Sequence, residues 1–508
     1  MFTDFGEVFK PVPVLLLLAA LALFLIVGLN SRIQRGGGTY YGVGFRSIGR
    51  IGIGAAIASN WMSAASFLGI AGIFYVKGYF AYAYVIGWTG GYVLLLILMA
   101  GQLRRFGKYT APEFVGARYD SPLARLLSAV VAILISLVYC VAQYKGIGLV
   151  FSWLFGLDYT RSLLVGALVV ISYLVISGTL GAARNQRFQY TVLILSFLIP
   201  LMAIAHRLGF NWLLPQVGYG QALQELAAKH SGPATAPWAY GTPYQWLALC
   251  FTLMVGTAGL PHVLSRFYTV PNVRDARWSV VWGLLFIGLL YWSAPAYATF
   301  AHIWEARQAL PTLGPQAADL IVIKAGEWTG LPSWLTGIIA IGAISAAFST
   351  VSGLLITGAG AFSYDIYSRF LNPRATETER MRIAKGATLV LAALVVLVAA
   401  QPLGMIAEIT AVAFALAGNT LFPVYLLGIW WDRATKQGAV AGMLTGTVIT
   451  FGALLLPAGS TLAALFPATS SAFLGAPLVI LVMICTSLVT QPPPEPIRRF
   501  LAEEVHSP

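Results

Sequence analysis

Three stretches of the chain place alcohols, amides and small residues where a membrane helix would carry aliphatic side chains. The first, Gly54 to Gly72, holds Ser59, Asn60, Ser63 and Ser66; the second, Leu249 to Phe267, holds Gly256, Thr257, Gly259 and Pro261. The third, Ala340 to Tyr367, carries Ser345, Ser349, Thr350, Ser352 and Thr357. Hydroxyl and carbonyl oxygens can replace the hydration shell of a small hard cation. Ser349 follows Ser345 by four residues, so the two share a helix face, with Thr350 beside them. The first two stretches read as interrupted helices. Backbone without partners is not tolerated against lipid, so such a break belongs where it lines a cavity, and a pair of breaks in corresponding halves points to the binding site of a carrier. The same residues have a plainer use, as packing notches or as hydroxyls bonded back to the preceding turn.

The most exceptional single residue is Lys145, in the run VYCVAQYKGIGLVFSW. A lysine near the bilayer centre costs roughly 2.5–3.5 kcal/mol, so it is expected to meet a cavity or a partner. Its expected roles are counter-charge for a carboxylate solute or internal cation tuning ion coupling, with snorkelling as the competing explanation. Further candidate solute contacts are Ser63, Ser66, Tyr144, Thr257 and Asn419, and a small anion would suit the N-terminal dipole of a half-helix. His262, next to Pro261, reads as structural rather than as a proton carrier. Cys140, Cys250 and Cys485 all fall in apolar runs and read as packing residues. No catalytic residue is expected: there is no Walker-type loop and no paired histidine ligands, and acids at membrane depth are few. The chain is therefore not read as an enzyme or an ATP-driven pump, and no cofactor is expected.

The elements that must hold these residues are membrane helices. The chain of 508 residues is 58% hydrophobic and only 10% charged, against roughly 25% in soluble domains. Apolar windows long enough to cross a bilayer recur at 11–30, 51–76, 79–101, 124–153, 161–178, 186–205, 245–268, 276–303, 333–367, 383–401, 404–429, 437–457 and 474–491. This predicts an all-α integral membrane protein of about 13 transmembrane helices in one domain over 1–508, with the bilayer as partner. The net charge of +13 sits in short clusters between spans, which argues against nucleic acid. With the N-terminus outside and the C-terminus cytoplasmic, 23 of the 31 Lys and Arg fall in cytoplasmic segments, as the positive-inside rule asks. Loops 206–244 and 304–332 are expected to form short helices or gates, and Gln102–Arg125, with Tyr109, Phe114 and Tyr119, an interfacial helix.

Three segments carry a family resemblance: ASNWMSAASFLGIAG (Ala58–Gly72), YTAPEFVGARYDS (Tyr109–Ser121) and AFSTVSGLLITGAGAFSYDIY (Ala347–Tyr367). Through them the chain resembles the sodium:solute symporters. The resemblance implies a leucine-transporter-type fold of five plus five helices in inverted repeats, here 51–205 and 245–429, with an extra N-terminal helix at 11–30 and two extra C-terminal helices at 437–491. It also implies symport with sodium as coupling ion, by alternating access, in a bacterial cytoplasmic membrane. Carried over residue by residue, the sodium site would use the carbonyls of Ser59, Met62 and Ala346 and the hydroxyls of Ser349 and Thr350. The run GTAGLPHVLSRFYTVPNVRDARWSV (Gly256–Val280) looks most like the acetate and monocarboxylate branch, implying acetate, lactate or pyruvate as solute. An amino-acid or other small-metabolite carrier, and a transporter-like nutrient sensor working through a separate partner, are the alternatives. One departure stands out: Gln186 occupies a place where several relatives carry an acid. The sequence is silent on oligomeric state.

Overall fold

The computed structural model describes residues 8–33, 50–106, 110–229, 236–267, 273–401, 403–457 and 459–506. Among these the secondary structure is entirely helical. Eleven helical stretches are long and apolar enough to cross a membrane. The difference from thirteen expected spans has a physical origin. Spans 51–76 and 79–101 run together from Ala65 to Leu98 after the first break, and 245–268 is divided by the second break and so falls short of the length needed. Between Tyr159–Ile176 and Phe188–Leu208 the backbone stays helical instead of opening into the expected loop. That connection contains no proline, and its Leu180, Ala182, Ala183, Arg184, Gln186 and Arg187 favour helix enough to outweigh two glycines.

The broken helices lie inside the bundle. Helix Arg50–Trp61 packs against Val273–Gln308 and the Tyr159–Leu208 helix, and Pro243–Gly259 is held between Tyr82–Leu98 and Ile406–Asn419. The hydroxyl-bearing helix Ser333–Gly360 is buried along most of its length against Pro122–Phe155, Tyr159–Leu208 and Pro11–Ile33. Such contact between backbones depends on small residues. A methyl group added at Gly256 would overlap the Phe414 carbonyl, and one at Gly353 would overlap the side-chain oxygen of Asn60.

Both long loops contain short helices, Pro215–Lys229 in one and Pro315–Ala318 with Ile321–Trp328 in the other. The expected interfacial helix is present as Ala111–Tyr119, but Phe114, Arg118 and Tyr119 are buried under the end of helix Leu421–Trp430 rather than facing a membrane surface. Tyr109 lies outside the described residues. Cys140 and Cys250 are buried and Cys485 is exposed, all three unpaired with each other.

Candidate functional site

Helix Arg50–Trp61 ends in mid-bundle, and Met62 and Ser63 are not helical. The last four carbonyls of a helix lack partners within it, so each must be satisfied from elsewhere. The Ala58 carbonyl accepts the Met62 N–H at 2.7 Å. The Ser59 carbonyl accepts the Ser349 hydroxyl at 2.7 Å, the Asn60 carbonyl accepts the Thr350 hydroxyl at 3.1 Å, and the Trp61 carbonyl accepts the Ser66 hydroxyl at 3.4 Å. Ser349 also reaches the Ala346 carbonyl at 2.9 Å. Of the five residues expected to hold sodium, Ser349 thus joins Ser59 and Ala346 at one buried point, and Thr350 bonds the adjacent Asn60 carbonyl. Met62 is also buried, one residue past the helix end. The oxygens gathered here are of the type hard cations take, and all four hydroxyl or carbonyl residues are 0% exposed, so a dehydrated ion placed among them would be screened from water.

Gln186 closes the same spot from another helix. Its amide nitrogen donates to the Ser349 carbonyl at 3.3 Å and to Asn60 Oδ1 at 3.4 Å, while its own side-chain oxygen is buried without a partner. A neutral amide thus occupies the place the sequence comparison had reserved for an acid.

Beyond the break the chain resumes as a helix capped by its own residues. Ser63 Oγ accepts from the N–H groups of Ala65 and Ser66 at 3.1 and 3.4 Å, and Gln143 Oε1 accepts from Ala64 N–H at 2.7 Å. Tyr139 donates to Ser63 Oγ at 3.3 Å and packs edge-on against His262, the residue after Pro261, and against Phe414, with ring centroids 5.6 Å away in both cases. The two breaks thus converge on one tyrosine. Tyr291 bonds to both Trp61 Nε1 and Ser66 Oγ at 2.9 Å, and Trp88 packs over Trp61, Tyr291 and Phe414. The result is a buried, closely packed cluster with alcohols on one side and aromatic rings on the others.

The second break follows from Gly259–Leu260–Pro261. Leu260 is extended (φ −72°, ψ 118°), the conformation favoured before proline, and Pro261, lacking an N–H, starts the next helix. Thr257, however, donates to the Leu253 carbonyl of its own helix at 2.7 Å and packs against Gly91. Asn419 turns toward the C-terminal helices, donating to Thr450 at 2.9 Å and Ser471 at 3.1 Å. Tyr144 is buried with its hydroxyl unpartnered. Of the expected solute contacts, Ser63 and Ser66 stand in this cluster, whereas Thr257 and Asn419 are turned elsewhere.

Lys145 has a partner. Its ammonium lies 2.8 Å from Asp319 Oδ2 and 2.6 Å from the Gly404 carbonyl, with both members of the ion pair at most 1% exposed. Asp319 also accepts from Ile406 N–H, at 3.1 Å on Oδ2 and 3.3 Å on Oδ1, capping the helix that starts there. Sequence reasoning missed Asp319, although a lone acid in the apolar run Ala317–Ile323 was its signal. It also passed over Tyr139, Gln143 and Tyr291, which carry no mark in the sequence beyond being polar residues in apolar spans.

Residues 40–446 match the sodium:solute symporter family. An uncharacterized symporter of Bacillus subtilis is 34% identical over 84% of this chain and 82% of that protein, and one of Cupriavidus necator is 30% identical over 93% of this chain and 91% of that protein. Among solved structures, a Na+-coupled sialic acid symporter in a substrate-bound outward-open state superposes with a TM-score of 0.75 at 17% identity, covering 96% of this chain and 99% of that one. That likeness extends the leucine-transporter-type fold, with its inverted repeats and broken helices, to this molecule. With the family matched over most of its length and two full-length relatives, the chain belongs to the sodium:solute symporter family.

Proposed function

We propose that the protein carries a short-chain monocarboxylate such as acetate, lactate or pyruvate into the cell together with sodium, by alternating access. Family membership supports sodium-coupled symport; the finer reading is supported by the residues gathered at the first break. The observation that carries it is the junction of the Ser59, Asn60 and Ala346 carbonyls with the Ser349 and Thr350 hydroxyls, immediately before a helix restart at Ser63. In this reading sodium sits among Ser59, Met62, Ala346, Ser349 and Thr350. The solute lies beyond the restart, against Ser63, Ser66 and the rings of Trp61, Tyr139 and Tyr291. The chain would cross a bacterial cytoplasmic membrane with its N-terminus outside, so that loop 304–332 faces outward.

The test is uptake of radiolabelled carboxylates and amino acids into proteoliposomes under imposed sodium or proton gradients. Accumulation of a monocarboxylate driven by inward sodium is expected. Uptake indifferent to sodium would remove the coupling, and selective uptake of amino acids would replace the cargo.

A further inference from the structure

Gln143 lies beside the first break with half of its amide unused. It is 0% exposed, and its two amide atoms are used unequally: Oε1 accepts the Ala64 N–H at 2.7 Å, whereas Nε2 has no partner. Because Ala64 N–H can only donate, it fixes which end of the amide turns to it, and the NH2 group is left as the free end. A buried donor without a partner costs free energy that a bound acceptor would return, so its presence asks for an explanation. A second buried donor, among the aromatic rings of the cluster, shares this property. Trp88 Nε1 is buried and unpartnered, on a ring that packs over Trp61, Tyr291 and Phe414.

The other polar groups there are already occupied. Ser63 Oγ receives two backbone N–H groups and the Tyr139 hydroxyl, and Tyr291 receives the Trp61 N–H and pairs with Ser66. The nearest cation of the Pro122–Phe155 helix, Lys145, is engaged by Asp319 and the Gly404 carbonyl. An anion entering among these groups would therefore meet N–H donors rather than a free charge. Neutral donors suit a small carboxylate, which must be held firmly enough to be selected and loosely enough to be released.

We infer that the Gln143 carboxamide is a specificity-determining contact of the transport reaction, its Nε2 donating to a carboxylate oxygen of the solute while its Oε1 holds the restarted helix. This rests on the reading of the protein as a monocarboxylate carrier. Gln143 thus couples solute recognition to the geometry of the break.

The experiment compares wild type, Gln143→Glu and Gln143→Met in proteoliposomes above neutral pH, measuring initial rates of sodium-driven acetate, lactate and pyruvate uptake. Gln143→Glu keeps an oxygen for Ala64 N–H but replaces the donor with an anionic oxygen, and is expected to raise KM at least about tenfold or abolish uptake, with the sodium-induced rise in melting temperature retained. Gln143→Met removes both functions and is expected to weaken uptake as well. If wild type takes up carboxylates and Gln143→Glu does so with unchanged KM, the inference is overturned while the carrier reading stands. If wild type takes up no carboxylate at all, the carrier reading falls first and this inference with it.

Discussion

At the scale of single residues, the sodium-type oxygens are held by a helix end that would otherwise be left unsatisfied. Ser349 and Thr350 are hydrogen-bonded to carbonyls three and two residues before the break. Replacing Ser349 with Ala, or Thr350 with Val, removes that hydrogen bond together with a proposed ion ligand. Each change is expected to raise half-saturating sodium by about tenfold, or ~1.4 kcal/mol, with solute affinity at saturating sodium much less affected. Sodium titrations of initial uptake rate check this, and an unaltered sodium dependence in both variants would place the ion elsewhere. The spacing of these hydroxyls was legible in the sequence, but only the family resemblance implied sodium, since hydroxyls in a membrane helix commonly bond back to the preceding turn. Gln143 and Tyr139 were not legible, since an isolated polar residue in a membrane helix gives no indication of which neighbour it meets.

At the scale of elements, breaks and caps decide where helices stop. Proline and glycine announced the second break, and Ser63 announced the first by supplying a cap to the helix that follows. The Ala111–Tyr119 helix was legible as a helix, with Thr110 as cap and proline in its first turn, but its burial was not. Its basic and aromatic composition suits a membrane surface equally well, and only the tertiary contact distinguishes the two. That contact is Arg118, 0% exposed, whose guanidinium donates to the carbonyls of Gly428 at 2.6 Å and Trp431 at 2.8 Å, with longer bonds to Asp432 and Ala434. A cation placed on the open carbonyls at a helix C-terminus satisfies both their hydrogen bonding and the helix dipole. Arg118→Met preserves much of the apolar stem and removes every donor. It is expected to cost about 2–4 kcal/mol, by analogy with other buried charged hydrogen bonds, seen as a lower melting temperature in detergent. A melting temperature equal to wild type would show that the carbonyls find other partners.

At the scale of the whole molecule, the Pro122–Phe155 helix serves as a post with a buried ion pair toward each end. Near its start Arg125 holds Asp365 at 2.6 Å, joined by Thr110 at 3.1 Å, and further along Lys145 holds Asp319. The second pair fastens loop 304–332 over the bundle. Gly72 of the first broken helix lies directly under Ala318, Tyr75 is tied to Glu305 and to Leu313 N–H, and Glu327 bonds to Trp153 of the same post. These contacts tie the loop to the first broken helix and to the post. A charge that serves the solute and a charge that serves the loop predict different double variants. Lys145→Met or Asp319→Asn alone leaves one buried charge uncompensated, which costs about 3–5 kcal/mol, and each is expected to lower the melting temperature clearly. The carboxamide oxygen introduced by Asp319→Asn would still accept from Ile406 N–H, so that substitution isolates the charge from the cap. Removing both charges together is expected to restore most of the stability and to leave carboxylate uptake measurable. Loss of uptake in a stable double variant would instead return Lys145 to the role its position in the sequence first suggested, a counter-charge reached by the solute when the loop lifts.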